Sequence, residues 1–289
     1  MKIQKNSIRI LDKNQNSSIR ELNEFLNYKG LTKTLAKRNL KTVYNRSFLG
    51  WMWSVLHPLA TLLIYSIVFG KILNGNGSVP SGAEGLKSFP MYLFSALVIW
   101  NAYSELSVGV MTSFANSINL RSRVYFPISC AVFASFISGF IVLGVEILVL
   151  VGAYLVIVGP SLTFFLVLPA FILAGFFGLG VGLMLAAANI RHRDVGHLYS
   201  VFLRLLFFMT PIIYPMNLLD GKKVFAFDLD KVLLLNPLTH FVVFIREVTY
   251  FQKIPGLSQW ALILSLSSLS LIFGWGAFVR FSPKVIENS

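Results

Sequence analysis

The chain has 289 residues, of which 55% are hydrophobic and only 13% charged, and its mean hydropathy is +0.70. A soluble domain carries about a quarter charged residues, so this composition excludes an ordinary soluble protein and predicts a polytopic membrane protein. The net charge of +13 does not indicate a nucleic-acid-binding protein, because the cations flank apolar segments instead of forming a basic face. The single cysteine, Cys130, excludes a disulfide framework, and no paired Cys/His spacing predicts a metal site.

The N-terminal part of the chain is polar and basic. Residues 1–27 are predicted to form a cytosolic arm, and residues 28–47 a helix with one basic and one apolar ridge. The ridge at Ala36 and Leu40 is expected to face acyl chains while the cations face anionic headgroups. The residues predicted to lie at this membrane interface are Lys33, Lys37, Arg38, Lys41 and Tyr44.

Six apolar segments of about 20 residues follow, which is the length that a bilayer requires of a helix. They are Trp51–Leu73, Pro90–Met111, Ile128–Val151, Leu162–Ala188, Leu198–Tyr214 and Gln259–Phe281. The predicted fold is therefore an all-α integral membrane protein, with a permeation domain at 28–289 whose six helices lie within 51–281. Four glycines of the fourth segment are typical of close helix packing rather than of a phosphate loop: Gly175, Gly178, Gly180 and Gly182.

The distribution of basic residues predicts the orientation in the membrane. An even number of spans places both termini on one side. The first fifty residues hold eleven Lys or Arg, and more basic residues occur in the 117–126 and 190–197 loops. The positive-inside rule therefore predicts that both termini and these two loops are cytosolic.

The segment 215–257, between the fifth and sixth spans, is apolar but interrupted by polar residues. We favour a re-entrant helical hairpin at the outer face, and the alternative is an amphipathic helix lying on the outer surface. Asn236 is expected to cap a helix that starts at Pro237 and closes the outer end of the bundle. Arg246 and Glu247 point about 100° apart on such a helix and should have different partners. The gate candidates are Tyr214, Asn236, His240, Arg246 and Glu247.

Three ionisable residues fall inside predicted spans: Glu105, Glu146 and Arg204. Such residues mark either a transport pathway or a partner that holds the helices together. Glu146 lies mid-span and is expected to be paired or protonated. Glu105 and Arg204 lie nearer the span ends, where their side chains can extend toward the headgroups.

No motif for covalent chemistry is present, and the absence of a G-x-x-x-x-G-K-[ST] loop predicts that the chain does not itself bind nucleotide phosphates in that way. Two short cytosolic turns, 119–127 and 189–197, mix basic and apolar residues, which suits docking into a groove of a partner protein. The residues predicted to make that contact are Leu120, Arg121, Arg123, Val124, Tyr125, Arg193 and Asp194.

Residues 28–282 resemble the permease subunits of ABC exporters for cell-surface polysaccharides such as O-antigen, teichoic acid and capsule. The resemblance is carried by four segments: Arg38–Trp51 leading to Pro58; Arg123–Pro127; Arg193–Val195; and Pro211–Pro215 followed by Asn236-Pro237-Leu238 and Arg246. It implies a channel subunit of a homodimer that works with two copies of a separate ATPase in the bacterial cytoplasmic membrane. ATP and Mg would bind that ATPase, and this chain would bind no cofactor.

The resemblance also implies roles for particular segments. The 121–127 turn would couple to the ATPase, Arg193-Asp194 would form a second contact, and 215–255 would form the outer gate. The substrate would be a lipid-linked polysaccharide entering near the interface helix. The alternatives are a drug or lipid exporter of the same fold, and an integral-membrane lipid-linked glycosyl or acyl transferase, which requires catalytic acids or histidines clustered at one face.

Overall fold

The computed structural model describes residues 26–44, 48–50, 52–72, 79–121, 127–192, 194–219, 223–224 and 227–287. Within these residues the chain forms nine α-helices. They are α1 (Lys29–Tyr44), α2 (Met52–Tyr65, continued by a π-helix at Ser66–Ile72), α3 (Phe89–Arg121), α4 (Ile128–Ile157), α5 (Val167–Arg191), α6 (Val195–Met209), α7 (Leu229–Leu234), α8 (Pro237–Thr249) and α9 (Leu257–Glu287).

Short irregular elements join the helices. They are 3₁₀ turns at Ala83–Gly85, Leu162–Leu166 and Met216–Leu219, and two antiparallel strands of two residues each, β1 (Lys223–Val224) and β2 (Phe227–Asp228). The strands are a minor departure from the all-α prediction. Most of the predicted arm, residues 1–25, lies outside the described part of the chain.

Five helical segments of the described chain are long and apolar enough to cross a membrane. They are Met52–Phe69, Phe89–Phe114, Ile128–Ile157, Leu162–Asn189 and Leu257–Arg280. The predicted fifth span is shorter than expected, because α6 has only 15 residues and a length of about 22 Å. Pro211 and Pro215 explain the early end, since proline has no N–H to continue a helix and disfavours helical backbone in the preceding residue.

The centre of the bundle is formed by α3, α5 and α9, with α5 packed against both of the others. Small residues allow this approach. A side-chain carbon on Gly178 would lie 3.0 Å from the Tyr103 carbonyl oxygen, and one on Gly182 would lie 2.8 Å from that of Ser107. Gly180 of α5 lies directly against Gly274 and Ser270 of α9. The prediction that these glycines pack helices together is therefore confirmed.

The basic helix α1 lies along α4 instead of facing lipid on its apolar side. Thr32 and Ala36 are buried, so the expected contact of Ala36 with acyl chains is wrong: protein covers that ridge. The cations on the other side are exposed, namely Lys33, Lys37, Arg38 and Lys41. Tyr44 is the last residue of α1, and its side chain lies outside the described part.

The crossing of α5 and α9 gives a direct test of the packing. Gly274→Ala would place a methyl group into the Gly180 backbone, so we expect it to destabilise the folded protein by about 1–3 kcal/mol. Gly276→Ala is the matched control on the same helix, because nothing lies within 4 Å of the added carbon. Thermal unfolding of both purified variants measures the difference, and equal midpoints would contradict the close crossing.

Candidate functional site

The start of α8 is fixed by its capping residue. The Asn236 Oδ1 accepts a hydrogen bond from the Leu238 amide at 3.0 Å, and Pro237 occupies the first helical turn, as the sequence predicts. The same side chain also faces the end of α6, since its Nδ2 donates to the Thr210 hydroxyl at 2.8 Å and to the Met209 carbonyl at 3.3 Å. One residue therefore begins α8 and ties it to α6.

Nine of the thirteen residues of α8 are buried in the bundle, and Pro237, His240, Val243 and Glu247 are half-buried. The predicted apolar side, Phe241, Ile245 and Val248, is buried, and so are residues on its other faces. The helix packs against α3, α5 and α9. An amphipathic helix lying on an outer surface would instead expose one face.

The guanidinium of Arg246 is the centre of this region. Arg246 is only 2% exposed, and it donates to three main-chain carbonyls: Nε to Tyr92 at 3.2 Å, Nη1 to Pro211 at 2.6 Å and Nη2 to Ile212 at 2.7 Å. Its central carbon lies 3.6 Å from the centre of the Tyr92 ring, a close cation–π contact. Arg246 therefore joins α8 to the start of α3 and to the broken backbone after α6.

Two of these acceptors, the Pro211 and Ile212 carbonyls, lie outside any helix. The chain after Met209 is no longer helical, so Pro211 and Ile212 have no helical donor for their oxygens. Arg246 supplies charged donors in a planar arrangement that suits several acceptors at once. Within the described residues no carboxylate lies within 4.0 Å of it, and Glu247 instead accepts from the Gln259 amide at 2.7 Å. The neighbours Arg246 and Glu247 thus have different partners, as their spacing predicts.

Tyr250, just after α8, holds the loop that precedes α3. Its hydroxyl lies 3.0 Å from the Pro80 carbonyl and 2.9 Å from the Leu86 carbonyl, and it accepts from the Ser88 amide at 3.3 Å. Its main-chain oxygen accepts from the Ala83 amide at 2.9 Å. Residues 79–88 are therefore attached to the end of α8.

Two further gate candidates have local partners. The His240 Nε2 lies 2.9 Å from the Leu234 carbonyl, which ties α8 to α7. The Tyr214 hydroxyl donates to the Phe208 carbonyl at 2.8 Å and covers the end of α6.

The acids inside the spans form one group on α3 and α4. Glu146 is buried, and both its oxygens accept from the Asn101 Nδ2, at 3.1 and 3.3 Å. Its hydrogen-bond partner in the described structure is thus an amide and not the cation of an internal ion pair. Glu105 is exposed on the surface of the protomer, within electrostatic range of His57 and Glu146. Arg204 is exposed on α6, apart from this group.

A chain of hydroxyl groups joins α6 to α3. The Tyr199 hydroxyl lies 2.7 Å from that of Ser107 and donates to that of Tyr103 at 3.2 Å. Neither this contact nor the roles of Tyr92, Asn101 and Tyr250 can be predicted from the sequence, because their partners are distant along the chain.

The predicted partner-docking residues are only partly described. Leu120 and Arg121 lie in the last turn of α3, so their placement in a turn is wrong. Asp194 is exposed directly before α6. Arg123, Val124, Tyr125 and Arg193 lie outside the described residues.

The fold is that of an integral membrane subunit whose apolar bundle contains a short buried helix, α8, beside the broken end of α6. Residues 30–250 match the model of the ABC-2 type transporter family, and the chain belongs to that family. It is a multi-pass inner-membrane protein and a transporter subunit, not an enzyme.

The chain is also similar over most of its length to curated proteins. It is 28% identical to the O-antigen export system permease protein RfbA of Myxococcus xanthus, over 92% of this chain and 96% of that protein. It is 26% identical to the polysialic acid transport protein KpsM of Escherichia coli, over 74% of this chain and 79% of that protein. It is 24% identical to the capsule polysaccharide export inner-membrane protein CtrC of Neisseria meningitidis serogroup B, over 87% of this chain and 91% of that protein.

The attachment of residues 79–88 predicts a local effect of Tyr250→Phe. The variant keeps the ring but loses the hydroxyl, and one hydrogen bond contributes about 1 kcal/mol. We therefore expect the Ser88 amide to exchange its hydrogen about fivefold faster, measured by hydrogen–deuterium exchange. Tyr65→Phe is the control, because no hydrogen bond is described for the Tyr65 hydroxyl, and its exchange pattern should match the wild type. An unchanged Ser88 rate in Tyr250→Phe would contradict the attachment.

Proposed function

We propose that this chain is the channel-forming subunit of an ATP-driven exporter that moves a lipid-linked cell-surface polysaccharide across the cytoplasmic membrane. The observation that carries the proposal is the similarity over nearly full length to proteins that are themselves named as permeases for O-antigen and capsular polysaccharide. A lipid-linked substrate would enter beside α1, whose exposed cations lie where anionic lipid headgroups are expected.

In this proposal six spans cross the membrane and both termini are cytosolic. The fifth span consists of α6 and the irregular residues 210–215, which together reach farther than α6 alone. Residues 1–27 form a cytosolic arm, and 28–289 form the permeation domain with its interface helix at 28–47. The basic residues of the first fifty positions support this orientation.

A second copy of the chain would complete the channel. That copy would cover the exposed apolar side of α6, at Leu198, Val201, Leu205 and Phe208. Two copies of a separate ATPase would bind ATP and Mg. They would contact the cytosolic end of α3 at Leu120 and Arg121, the residues that follow it to Tyr125, and Arg193-Asp194. Glu105 and Arg204, exposed on apolar helices, would face the water-filled pathway.

The outer gate in this proposal is the re-entrant hairpin formed by α7 and α8. The burial of α8 against α3, α5 and α9 supports the role, because a helix in that position would block the end of the bundle. Arg246 would hold the closed state through its three carbonyl bonds.

Export in cells tests the function. In bacteria that lack the chain but make the glycan, surface polysaccharide should return only when this chain and its partner ATPase are expressed together. Val124→Ala with Tyr125→Ala should lose export while membrane insertion stays normal. Antibody labelling of surface glycan and quantification of the chain in membranes measure the two effects. Full export without the ATPase would contradict the proposal.

Leak through the closed protein tests the gate. Arg246→Ala leaves three carbonyls without their charged donor and should cost about 3 kcal/mol or more in the closed state. We therefore expect ion flux through reconstituted protein to rise at least tenfold without ATP. Lys71→Ala, which removes an exposed cation on the π-helix after α2, is the control. Equal, low flux in both variants would exclude a sealing role.

A further inference from the structure

A cavity of about 360 Å³ lies directly beside Arg246. Its charged lining consists of Arg246, Glu247 and Lys253, and its remaining wall includes Pro80, Pro215 and Phe251. Binding sites for small molecules are of this kind, mostly apolar with a few placed polar groups, and their volumes start near 300 Å³. The cavity therefore holds a small unit, not a long stretch of polymer.

The lining formed by the described residues is positive. Its two cations and one anion give a net charge of +1. Arg246 has no acidic partner within 4.0 Å among the described residues, although it is 2% exposed. An arginine has five N–H donors, and the carbonyls use three of them, which leaves two. A buried cation without a counter-ion is the feature that an anionic ligand satisfies.

Lys253 provides the second cation on the exposed side. Its side chain is exposed, and its ammonium lies 6.0 Å from the centre of the Phe251 ring. The carboxylate of Glu247 takes one hydrogen bond from Gln259 and keeps further acceptor sites, since a carboxylate has about four. The lining thus offers cations for an anion and an acceptor for a hydroxyl group.

The geometry points to a binding site for one anionic sugar unit, whose carboxylate or phosphate contacts Arg246 and Lys253 while a hydroxyl donates to Glu247. This inference rests on the proposed function, in which the cavity lies at the outer gate. The cavity would then bind acidic units of the glycan as they leave the channel. Arg246 would both contact these units and hold α8 in place.

Binding to the full chain in lipid nanodiscs tests the site. The probes are methyl glucuronide, glucose 6-phosphate and, as the neutral reference, methyl glucoside, each followed by saturation-transfer NMR. At least one anionic probe should bind at least fivefold more tightly than the neutral one, and the stronger of the two identifies the anion. Equal binding of all three probes would overturn the inference.

Variants locate the binding. Lys253→Gln should weaken binding of the anionic probe at least threefold. Glu247→Gln should strengthen it, because it removes the one negative charge among the described residues of the lining and keeps a carbonyl oxygen that accepts from a hydroxyl group. Lys71→Gln is the matched control, an exposed lysine outside the cavity, and should change nothing. If the anionic probe binds equally to all three variants, it binds outside this cavity and the proposed site is wrong.

The export experiment separates the two proposals. If the wild-type chain exports polysaccharide with its ATPase but shows no preference for anionic probes, the sugar site is wrong and the exporter stands. If no polysaccharide is exported, the exporter is wrong whatever the probes show.

Discussion

The described fold depends on how one buried cation is satisfied. Arg246 loses its hydration on burial. Among the described residues it instead donates hydrogen bonds to three carbonyls and makes a cation–π contact with the Tyr92 ring, and no carboxylate pairs with it. The Pro211 and Ile212 carbonyls are free because prolines stop α6 early, so the break in the helix and the arginine require each other. The start of α3, the end of α6 and the last turns of α8 are consequently held at one point.

This arrangement explains why a short helix can lie inside the bundle. Asn236 fixes the first turn of α8 to Thr210, Arg246 fixes its last turns, and Tyr250 extends the attachment to residues 79–88. Together these contacts join α8 to residues 209–212, to the start of α3 and to residues 79–88, so a movement of α8 requires several of them to break together. Interfaces of this type are bistable rather than gradually deformable, which is the property required of a gate.

The sequence predicted what local chemistry determines. The cap at Asn236, the helix start at Pro237 and the packing role of Gly180 follow from the residues themselves. The partners of Arg246 could not be predicted in this way, because they lie 34 to 154 residues away along the chain. Likewise, the apolar ridge of α1 was clear, but nothing in it distinguished a lipid surface from the surface of α4. The short α6 was missed because apolar residues continue past the prolines that end it.

The most direct test of this account measures whether Arg246 holds α6 and α8 together. Spin labels at Leu205 of α6 and Leu235, directly after α7, report the distance between these elements, and both positions are exposed. With labelled chains diluted in unlabelled ones, the wild type should give one narrow distance distribution. Arg246→Met, which keeps much of the side-chain bulk but removes every donor, should broaden it or add a second distance, whereas Arg204→Met on the exposed face should not. A narrow, unshifted distribution in Arg246→Met would contradict the account.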